Sequence, residues 1–166
     1  IRRNKLTDFH NINVNGKIAM KLNSDDMLVN VVTCSETDDI FLSTRLGKCI
    51  RFSCKDLRVF SGRSSIGVRG IKLSEKDAVI SLAILNGINF NVNERDEYLK
   101  ISSAQRKNEQ INEINVSKDK TNEFKDNEEF LLSVTDKGFG KRSSAYEYRK
   151  SNRGGLGICL LYTSPS

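Results

Sequence analysis

Residues 16–22 of the chain read GKIAMKL, and residues 67–73 read GVRGIKL. A second matching pair follows at the same spacing, DMLV at 26–29 and DAVI at 77–80. The pairs Lys21 and Lys72, Leu22 and Leu73, and Asp26 and Asp77 are each 51 residues apart. A repeat of about 50 residues is typical of propellers and solenoids, in which one supersecondary unit recurs and packs against its neighbours. The spacing therefore predicts a bladed repeat array.

A second register of the repeat relates residues 43–58 to residues 134–149, which lie 91 positions later. STRLG at 43–47 corresponds to VTDKG at 134–138, and the arginine and acidic positions that follow also correspond. Because 91 exceeds one repeat by 40 residues, we interpret segment 86–125 as an insertion into one unit. The same positions recur one repeat earlier, where Arg3, Asp8 and Phe9 correspond in that order to Arg51, Asp56 and Leu57.

Short β-type segments bounded by Gly, Asp, Asn and Ser dominate the repeats. We expect strands at 17–22, 28–34, 40–44, 49–52, 71–73, 79–85 and 130–135. About four strands fit into one repeat, since strands average about 5–6 residues and hairpin loops 2–5. The predicted fold class is therefore all-β, a bladed array with about four strands in each blade. Gly47 and Gly138 are expected to adopt a positive φ at hairpin turns.

The insertion differs in kind from the repeats. Residues 94–115 contain no Gly or Pro, and Tyr98, Ile101 and Ala104 lie at loose helical spacing. The segment has low hydrophobicity, so a helix and a disordered excursion both remain open. Seven basic and seven acidic residues balance within 86–125, so the net charge of +6 belongs to the repeats. A basic chain with a pI near 9.2 favours a polyanionic partner.

Several classes of protein are not supported by the sequence. Apolar runs such as 80–85 are far shorter than the ~20 residues of a membrane span, and no secretory leader is apparent. The four cysteines, at 34, 49, 54 and 159, form no C-x-x-C pair, and we expect reduced thiols there. The single histidine, His10, has no partner set for nucleophilic catalysis or metal binding. Residues 138–143, GFGKRS, lack the G-x-x-x-x-G-K-[ST] spacing of a phosphate loop.

A basic, glycine-bearing element recurs instead, at 58–70 and again at 149–157. Glycine lets backbone N–H groups approach an anion, and arginine offers planar, multi-donor contacts to phosphate. Such contacts position a duplex without reading its bases. The predicted DNA-binding residues are Lys48, Arg51, Arg58, Arg63, Arg69, Lys141, Arg142, Arg149 and Arg153. The alternative is that each arginine pairs with a neighbouring acid such as Asp56 or Glu147.

Several of these stretches together resemble the C-terminal domain of the A subunit of DNA gyrase. They are residues 16–22, 46–52 (LGKCIRF), 67–73, 135–142 (TDKGFGKR) and 147–149 (EYR). The resemblance implies a six-bladed β-pinwheel, whose basic rim wraps double-stranded DNA for ATP-dependent negative supercoiling. It also implies a bacterial cytoplasmic, nucleoid-associated protein. The partners that the resemblance implies are the remainder of the A subunit and the gyrase B subunit in a heterotetramer. It implies no association with a membrane.

The resemblance implies no catalytic residue, metal or cofactor in this segment, since the cleaving tyrosine and the sites for ATP and Mg lie elsewhere in the holoenzyme. About three of six blades are represented. The family's QRRGGKG box is absent, although RGGLG at 153–157 is similar to it. The A subunit of topoisomerase IV, or a protein-interaction propeller that does not wrap DNA, are therefore the alternatives.

The predicted pinwheel part covers residues 1–158. The repeat aligns Gly157 and Ile158 with Gly70 and Ile71, but the following CLLYTSPS does not continue the pattern. We expect 159–166 to be an atypical tail that is not native and lies outside the fold.

Overall fold

The computed structural model describes residues 1–62, 64–88, 90–107 and 118–161. Two compact units are present, unit 1 formed by residues 1–84 with those from 150 onward, and unit 2 formed by residues 85–149. The described strands are β1 (Asp39–Thr44), β2 (Lys48–Ser53), β3 (Val79–Leu85), β4 (Phe130–Val134), β5 (Gly140–Ser144) and β6 (Ile158–Cys159). The described α-helices are α1 (Val92–Lys107) and α2 (Lys118–Asp126).

Unit 1 contains a four-stranded sheet in the order β3-β1-β2-β6. β1 and β2 form an antiparallel hairpin in which Asp39 pairs with Ser53. Gly47 occupies the turn with φ +77°, as predicted, and a Cβ at this position would meet nothing within 4 Å. The apolar side chains of the sheet enter a buried core with the residues that follow β2. These core residues are Ile40, Leu42, Ile50, Phe52, Cys54, Leu57 and Ile71.

Unit 2 combines the hairpin β4–β5 with the two helices. Tyr98, Phe124 and Tyr146 form a buried aromatic cluster, in which the Tyr98 and Phe124 rings stack with centroids 5.1 Å apart. The Tyr146 hydroxyl donates to the Phe124 carbonyl at 3.1 Å, so its polar group is satisfied inside the cluster. The helices of the described chain are too polar and too short to cross a membrane.

The two hairpins repeat in three dimensions at the spacing of 91 residues. β1–β2 pairs Phe41 with Arg51, and β4–β5 pairs Leu132 with Arg142. A serine-capped 3-10 turn follows each hairpin, at Cys54–Asp56 and at Ala145–Glu147. The second register predicted from the sequence is therefore the register of the fold.

The strand predictions were correct for β1, β2, β3 and β4 and wrong for 17–22, 28–34 and 71–73. None of these three segments is a strand. In 17–22 and 71–73 single backbone bonds to loop residues take the place of a strand ladder. Lys21 N donates to Ser65 O at 3.4 Å, and Lys72 N donates to Gly155 O at 2.8 Å. The helical alternative for the insertion is confirmed over 94–107, whereas 108–115 lies outside the described residues.

The alignment of the last repeat also needs a correction. A Cβ on Gly67 would lie 2.5 Å from the Ile1 carbonyl oxygen, and one on Gly157 would lie 2.4 Å from that of Cys49. Ile1 and Cys49 are 48 residues apart, as are the repeat positions Arg3 and Arg51, so Ile1 and Cys49 are equivalent. The glycines packed against them are therefore equivalent too, and Gly157 corresponds to Gly67 and not to Gly70. Cys159, predicted to belong to the tail, pairs with Lys48 in β2. Residues 162–166 of that tail lie outside the described residues.

Candidate nucleic-acid interface

The basic loop of unit 1 begins where the 3-10 turn after β2 ends. The Ser53 hydroxyl accepts a hydrogen bond from Lys55 N, which closes this turn. The chain then becomes extended, with Leu57 buried and Arg58 exposed. The guanidinium carbon of Arg58 lies 4.4 Å from the centroid of the Phe60 ring. A cation over an aromatic face is held in place without losing its charge.

Two more of the predicted residues, Arg69 and Arg153, meet through the backbone. Arg153 donates from Nη1 to the Arg69 carbonyl at 3.3 Å and from Nε to the Asp56 carbonyl at 3.1 Å. Gly154 N donates to Gly70 O at 2.5 Å, which ties the two segments together beside these side chains. Both arginines are exposed, so the contact places two cations on one surface of unit 1.

Gly154 and Gly157 allow this close approach. Both residues have a positive φ, +80° and +70°, which L side chains rarely adopt. In addition, the backbone of β2 lies against Gly157, as the Cys49 contact shows. The glycines of the recurring element thus bring protein backbones together at these positions.

Arg51 is not available to DNA, and its predicted role is corrected. Its side chain is 1 % exposed and donates from Nε and Nη2 to Asp39 Oδ2 at 2.9 and 2.8 Å. Lys150 Nζ lies 3.1 Å from the other oxygen of Asp39. Here the alternative of an arginine paired with an acid is correct, but the partner is Asp39.

The residues predicted in unit 2 have mixed environments. Lys141 Nζ lies 3.4 Å from Glu147 Oε2, so it too has an acidic partner. Arg142 is exposed, with its guanidinium carbon 3.7 Å from the centroid of the Phe130 ring. By the 91-residue register Phe130 corresponds to Asp39, so a cation–π contact replaces the buried ion pair in this unit.

The remaining predicted residues are Lys48, Arg63 and Arg149. Lys48 is exposed at the first position of β2, and Arg149 is exposed at the end of unit 2. Arg149 follows the 3-10 turn of its unit as Arg58 follows the turn of unit 1. Arg63 lies outside the described residues.

Sequence reasoning missed Arg2 and Lys150. Arg2 donates from Nη1 to the Ser65 carbonyl at 2.7 Å and lies over the Phe60 ring at 4.9 Å. Lys150 completes the ion pair around Asp39. The sequence offered one signal for them, because Arg2 is next to the repeat arginine Arg3 and Lys150 is next to the repeat arginine Arg149.

Asp77, the repeat equivalent of Asp26, stabilises a turn in unit 1. Asp77 Oδ1 accepts from Leu46 N and from Ala78 N, both at 2.9 Å. Desolvation by itself raises the pKa of Asp77, but these two bonds and one from the Thr44 side chain lower the pKa below its ordinary value. Asp77 therefore ties the β1–β2 turn to the start of β3.

The cysteines are all free thiols. Cys34 Sγ lies 3.5 Å from Cys54 Sγ. Burial and this hydrogen bond raise the pKa of the Cys34 thiol to about 11. Among the described residues, no group of three or more His, Cys, Asp or Glu residues is arranged to hold a metal ion.

The repeat motifs and the bladed geometry have counterparts in known proteins. The sequence model described as the DNA gyrase C-terminal domain, a beta-propeller, matches residues 1–35, 38–86 and 129–165. The chain belongs to the DNA gyrase C-terminal domain family. Unmatched residues 87–128 fall almost entirely within the segment that we interpret as an insertion.

Among curated proteins, the chain is 47 % identical over 186 aligned positions to the DNA gyrase A subunit of Granulibacter bethesdensis, covering 99 % of this chain and 20 % of that protein. It is 48 % identical to the DNA gyrase A subunit of Rickettsia bellii, covering 95 % and 18 %. The chain thus spans about a fifth of the length of these relatives.

A solved structure of the C-terminal domain of DNA topoisomerase IV superposes with a TM-score of 0.56, at 20 % identity, over 85 % of this chain and 31 % of that one. This likeness concerns the fold alone. With the family match, it confirms the predicted fold class, the propeller-like β-pinwheel represented by part of its blades.

Proposed function

We propose that this chain is a segment of the DNA-wrapping domain of a gyrase A subunit, and that it binds and bends duplex DNA without reading base sequence. Membership of the gyrase C-terminal domain family supports the proposal. Phosphate contacts by exposed cations are sufficient for such binding, because the charge of the DNA backbone does not depend on sequence.

The observation that carries the proposal is the equivalence of Arg58 and Arg149. Each is exposed and follows a serine-capped 3-10 turn, and they are 91 residues apart in the register that also relates the two hairpins. The fold therefore repeats an exposed arginine at the same place after the turn. Repeated cations at equivalent places suit the regularly spaced phosphates of a duplex.

The structure alters the set of residues proposed for the contact. Arg51 is removed because it is buried against Asp39. Lys141 is retained as a weaker candidate because Glu147 partly neutralises it. The proposed contacts are Lys48, Arg58, Arg63, Arg69, Lys141, Arg142, Arg149 and Arg153.

We favour gyrase over topoisomerase IV because relatives at 47–48 % identity are A subunits of DNA gyrase. In this proposal the chain itself has no catalytic residue. It acts in the bacterial cytoplasm, at the nucleoid, with the rest of the A subunit and with the gyrase B subunit, which supply DNA cleavage and the use of ATP and Mg.

The test is binding of duplex DNA by the 166-residue chain and by the full-length protein that contains it, at salt concentrations of about 50 to 200 mM. Affinity is expected to fall steeply with salt, with a slope of about 0.9 for each phosphate contact. The double variant R58Q/R149Q is expected to reduce this slope by about two. The double variant K100Q/K107Q, which removes two exposed cations of α1, is the matched control.

Binding that does not respond to salt contradicts DNA wrapping through these residues. Unchanged binding in the double variant, with a slope equal to that of wild type, contradicts the role of Arg58 and Arg149 and leaves the contact to the other proposed residues. Supercoiling by holoenzyme reconstituted with the same variant is expected to be reduced, while relaxation without ATP is retained.

A further inference from the structure

Two thiols of unit 1 face each other across a short gap. Cys34 Sγ lies 3.5 Å from Cys54 Sγ, although the two residues are 20 positions apart in the chain. Cys34 is exposed, whereas Cys54 is fully buried and belongs to the apolar core. The S–S bond of a disulfide is about 2.05 Å long, so an approach of about 1.5 Å is enough to join these two sulfurs.

The backbone holds the two cysteines differently. Cys54 N donates to Asp38 O at 2.9 Å, and Cys54 O accepts from Leu57 N at 3.1 Å, so Cys54 is fixed at the start of its 3-10 turn. Cys34 lies outside the described helices and strands, directly before the turn 35–38. Closure of the gap therefore requires movement of Cys34 and leaves the core in place.

The fold does not require sulfur at these two places. By the 91-residue register Cys54 corresponds to Ala145, and Ala145 N donates to Glu129 O at 2.8 Å, which repeats the backbone bond made by Cys54. By the 51-residue register Cys34 corresponds to the buried Leu85. Because alanine and leucine occupy the equivalent positions, the repeat does not account for a pair of facing thiols in unit 1.

Cys34 is the thiol that a small oxidant in solvent meets first, because Cys54 has no exposed surface. Arg3 Nη1 lies 3.6 Å from Cys54 Sγ and 3.6 Å from Glu36 Oε1. Burial and the hydrogen bond with Cys54 raise the pKa of Cys34 to about 11, so its thiolate is scarce at neutral pH and its oxidation is slow. The buried Cys54 is then in position to resolve an oxidised Cys34.

We propose that Cys34 and Cys54 form a reversible disulfide when the protein is exposed to hydrogen peroxide, and that this bond ties the turn 35–38 to the 3-10 turn after β2. The reaction does not require DNA, so it goes beyond the proposed function. The reverse reaction is reduction by a dithiol through thiol–disulfide exchange.

The reaction has two steps. The Cys34 thiolate attacks one oxygen of hydrogen peroxide, the O–O bond breaks, and hydroxide leaves and takes up the proton that Cys34 released, which gives water and a sulfenic acid. The Cys54 sulfur then attacks the Cys34 sulfur, and the S–O bond breaks. The leaving hydroxide takes the Cys54 proton and becomes the second water. The two thiols lose two electrons, and one peroxide is reduced to two waters.

The disulfide would enclose the β1–β2 hairpin in a closed loop of chain. Such a cross-link stabilises mainly by restricting the unfolded chain, and the effect grows with loop length. The melting temperature of the transition that unfolds unit 1 is therefore expected to rise by about 5 °C or more on oxidation. Dithiothreitol is expected to reverse this rise.

The test is treatment of the full-length protein with hydrogen peroxide, followed by blocking of free thiols, digestion by trypsin without reductant, and mass spectrometry. Trypsin separates the cysteines, since Cys34 falls in peptide 22–45, Cys49 in 49–51 and Cys54 in 52–55. The expected product is peptide 22–45 joined to peptide 52–55, lighter than their sum by two hydrogens. Dithiothreitol is expected to separate them again.

Three variants accompany the wild type. Cys34→Ser and Cys54→Ala are each expected to abolish the joined peptide and the rise in melting temperature. Both substitutions are compatible with folding, because Cys34 is exposed and alanine occupies the position of Cys54 in unit 2. Cys159→Ser removes an exposed thiol outside the pair and is the control, in which the joined peptide is expected to persist.

Oxidation of the same protein in urea measures how often the thiols pair without the fold. The ratio of links from Cys34 to Cys54 over links from Cys34 to Cys159 is expected to be at least about tenfold higher in the folded protein. Equal ratios overturn the inference. It is also overturned if Cys34 proceeds to the sulfinic acid while peptide 52–55 stays unlinked, or if Cys34 remains a free thiol in the folded protein at a peroxide dose that oxidises it in urea.

Discussion

Asp39 accepts two hydrogen bonds from one arginine, from Nε and Nη2 of Arg51, at 2.9 and 2.8 Å. Asp39 is fully buried and Arg51 is 2 % exposed, so the pair lies inside the blade and not at its surface. The cost of removing two charges from water is offset by this double contact and by Lys150 at 3.1 Å. The strand β2 thus uses an arginine of the repeat for folding.

We expect Arg51→Ala to destabilise unit 1 by about 3–5 kcal/mol, because it leaves the buried Asp39 carboxylate without its main partner. The measurement is the free energy of unfolding in urea. Lys55→Ala, an exposed neighbour, is the control and is expected to change the free energy by less than about 0.5 kcal/mol. Removal of both charges with D39L/R51M is expected to recover much of the loss.

A glycine comparison tests how closely the last repeat packs on β2. Gly157→Ala requires a positive φ and also places a Cβ 2.4 Å from the Cys49 carbonyl oxygen. Gly138→Ala requires a similar φ of +82° in open space, so its cost is limited to about 1–2 kcal/mol. We expect a clearly larger drop in melting temperature for Gly157→Ala. Equal drops would contradict the close packing of residue 157 against β2.

The pH dependence of stability tests the Asp77 contact. Because the pKa of Asp77 is lowered by folding, its charge contributes stability above the ordinary carboxyl pKa of about 3.9, and this contribution is lost as pH falls through the folded value. We expect wild type to be more stable than Asp77→Asn at pH 6, and the difference to shrink as pH falls below 4. Urea midpoints measured from pH 6 down to pH 3 show this. A difference that does not change with pH contradicts the role of the charge.

Thiol reactivity separates the cysteines. Cys34 is exposed, but its pKa near 11 leaves few thiolates at pH 8, so we expect slow alkylation by iodoacetamide. The buried Cys49, whose pKa burial raises to about 12, is expected to react only after unfolding. Mass spectrometry of peptides from a time course gives each rate. Fast labelling of Cys34 would contradict its contact with Cys54. In that case the labelling rate of Cys34 is expected to be the same in Cys54→Ser as in wild type.

Local patterns in the sequence determined the hairpins and their repetition. Gly47 and Gly138 and the motifs around them, STRLG at 43–47 and VTDKG at 134–138, act through neighbouring residues, so the 91-residue register was readable directly. The family followed from the same motifs in order. Helix α1 could be predicted only as one of two alternatives, because its side chains are mostly polar and its burial depends on Phe124 and Tyr146.

Tertiary structure decided which cations face solvent. Arg51 and Arg58 both belong to repeated basic positions, yet one is buried against Asp39 and the other stacks on Phe60 at the surface. Their repeat positions do not distinguish them, because the difference arises from the side chain that each one meets in the fold, Asp39 on the paired strand for Arg51 and the Phe60 ring for Arg58. The sequence by itself determined the blade and its basic character. Only the contacts made in the folded unit determined which arginines support the fold and which face solvent.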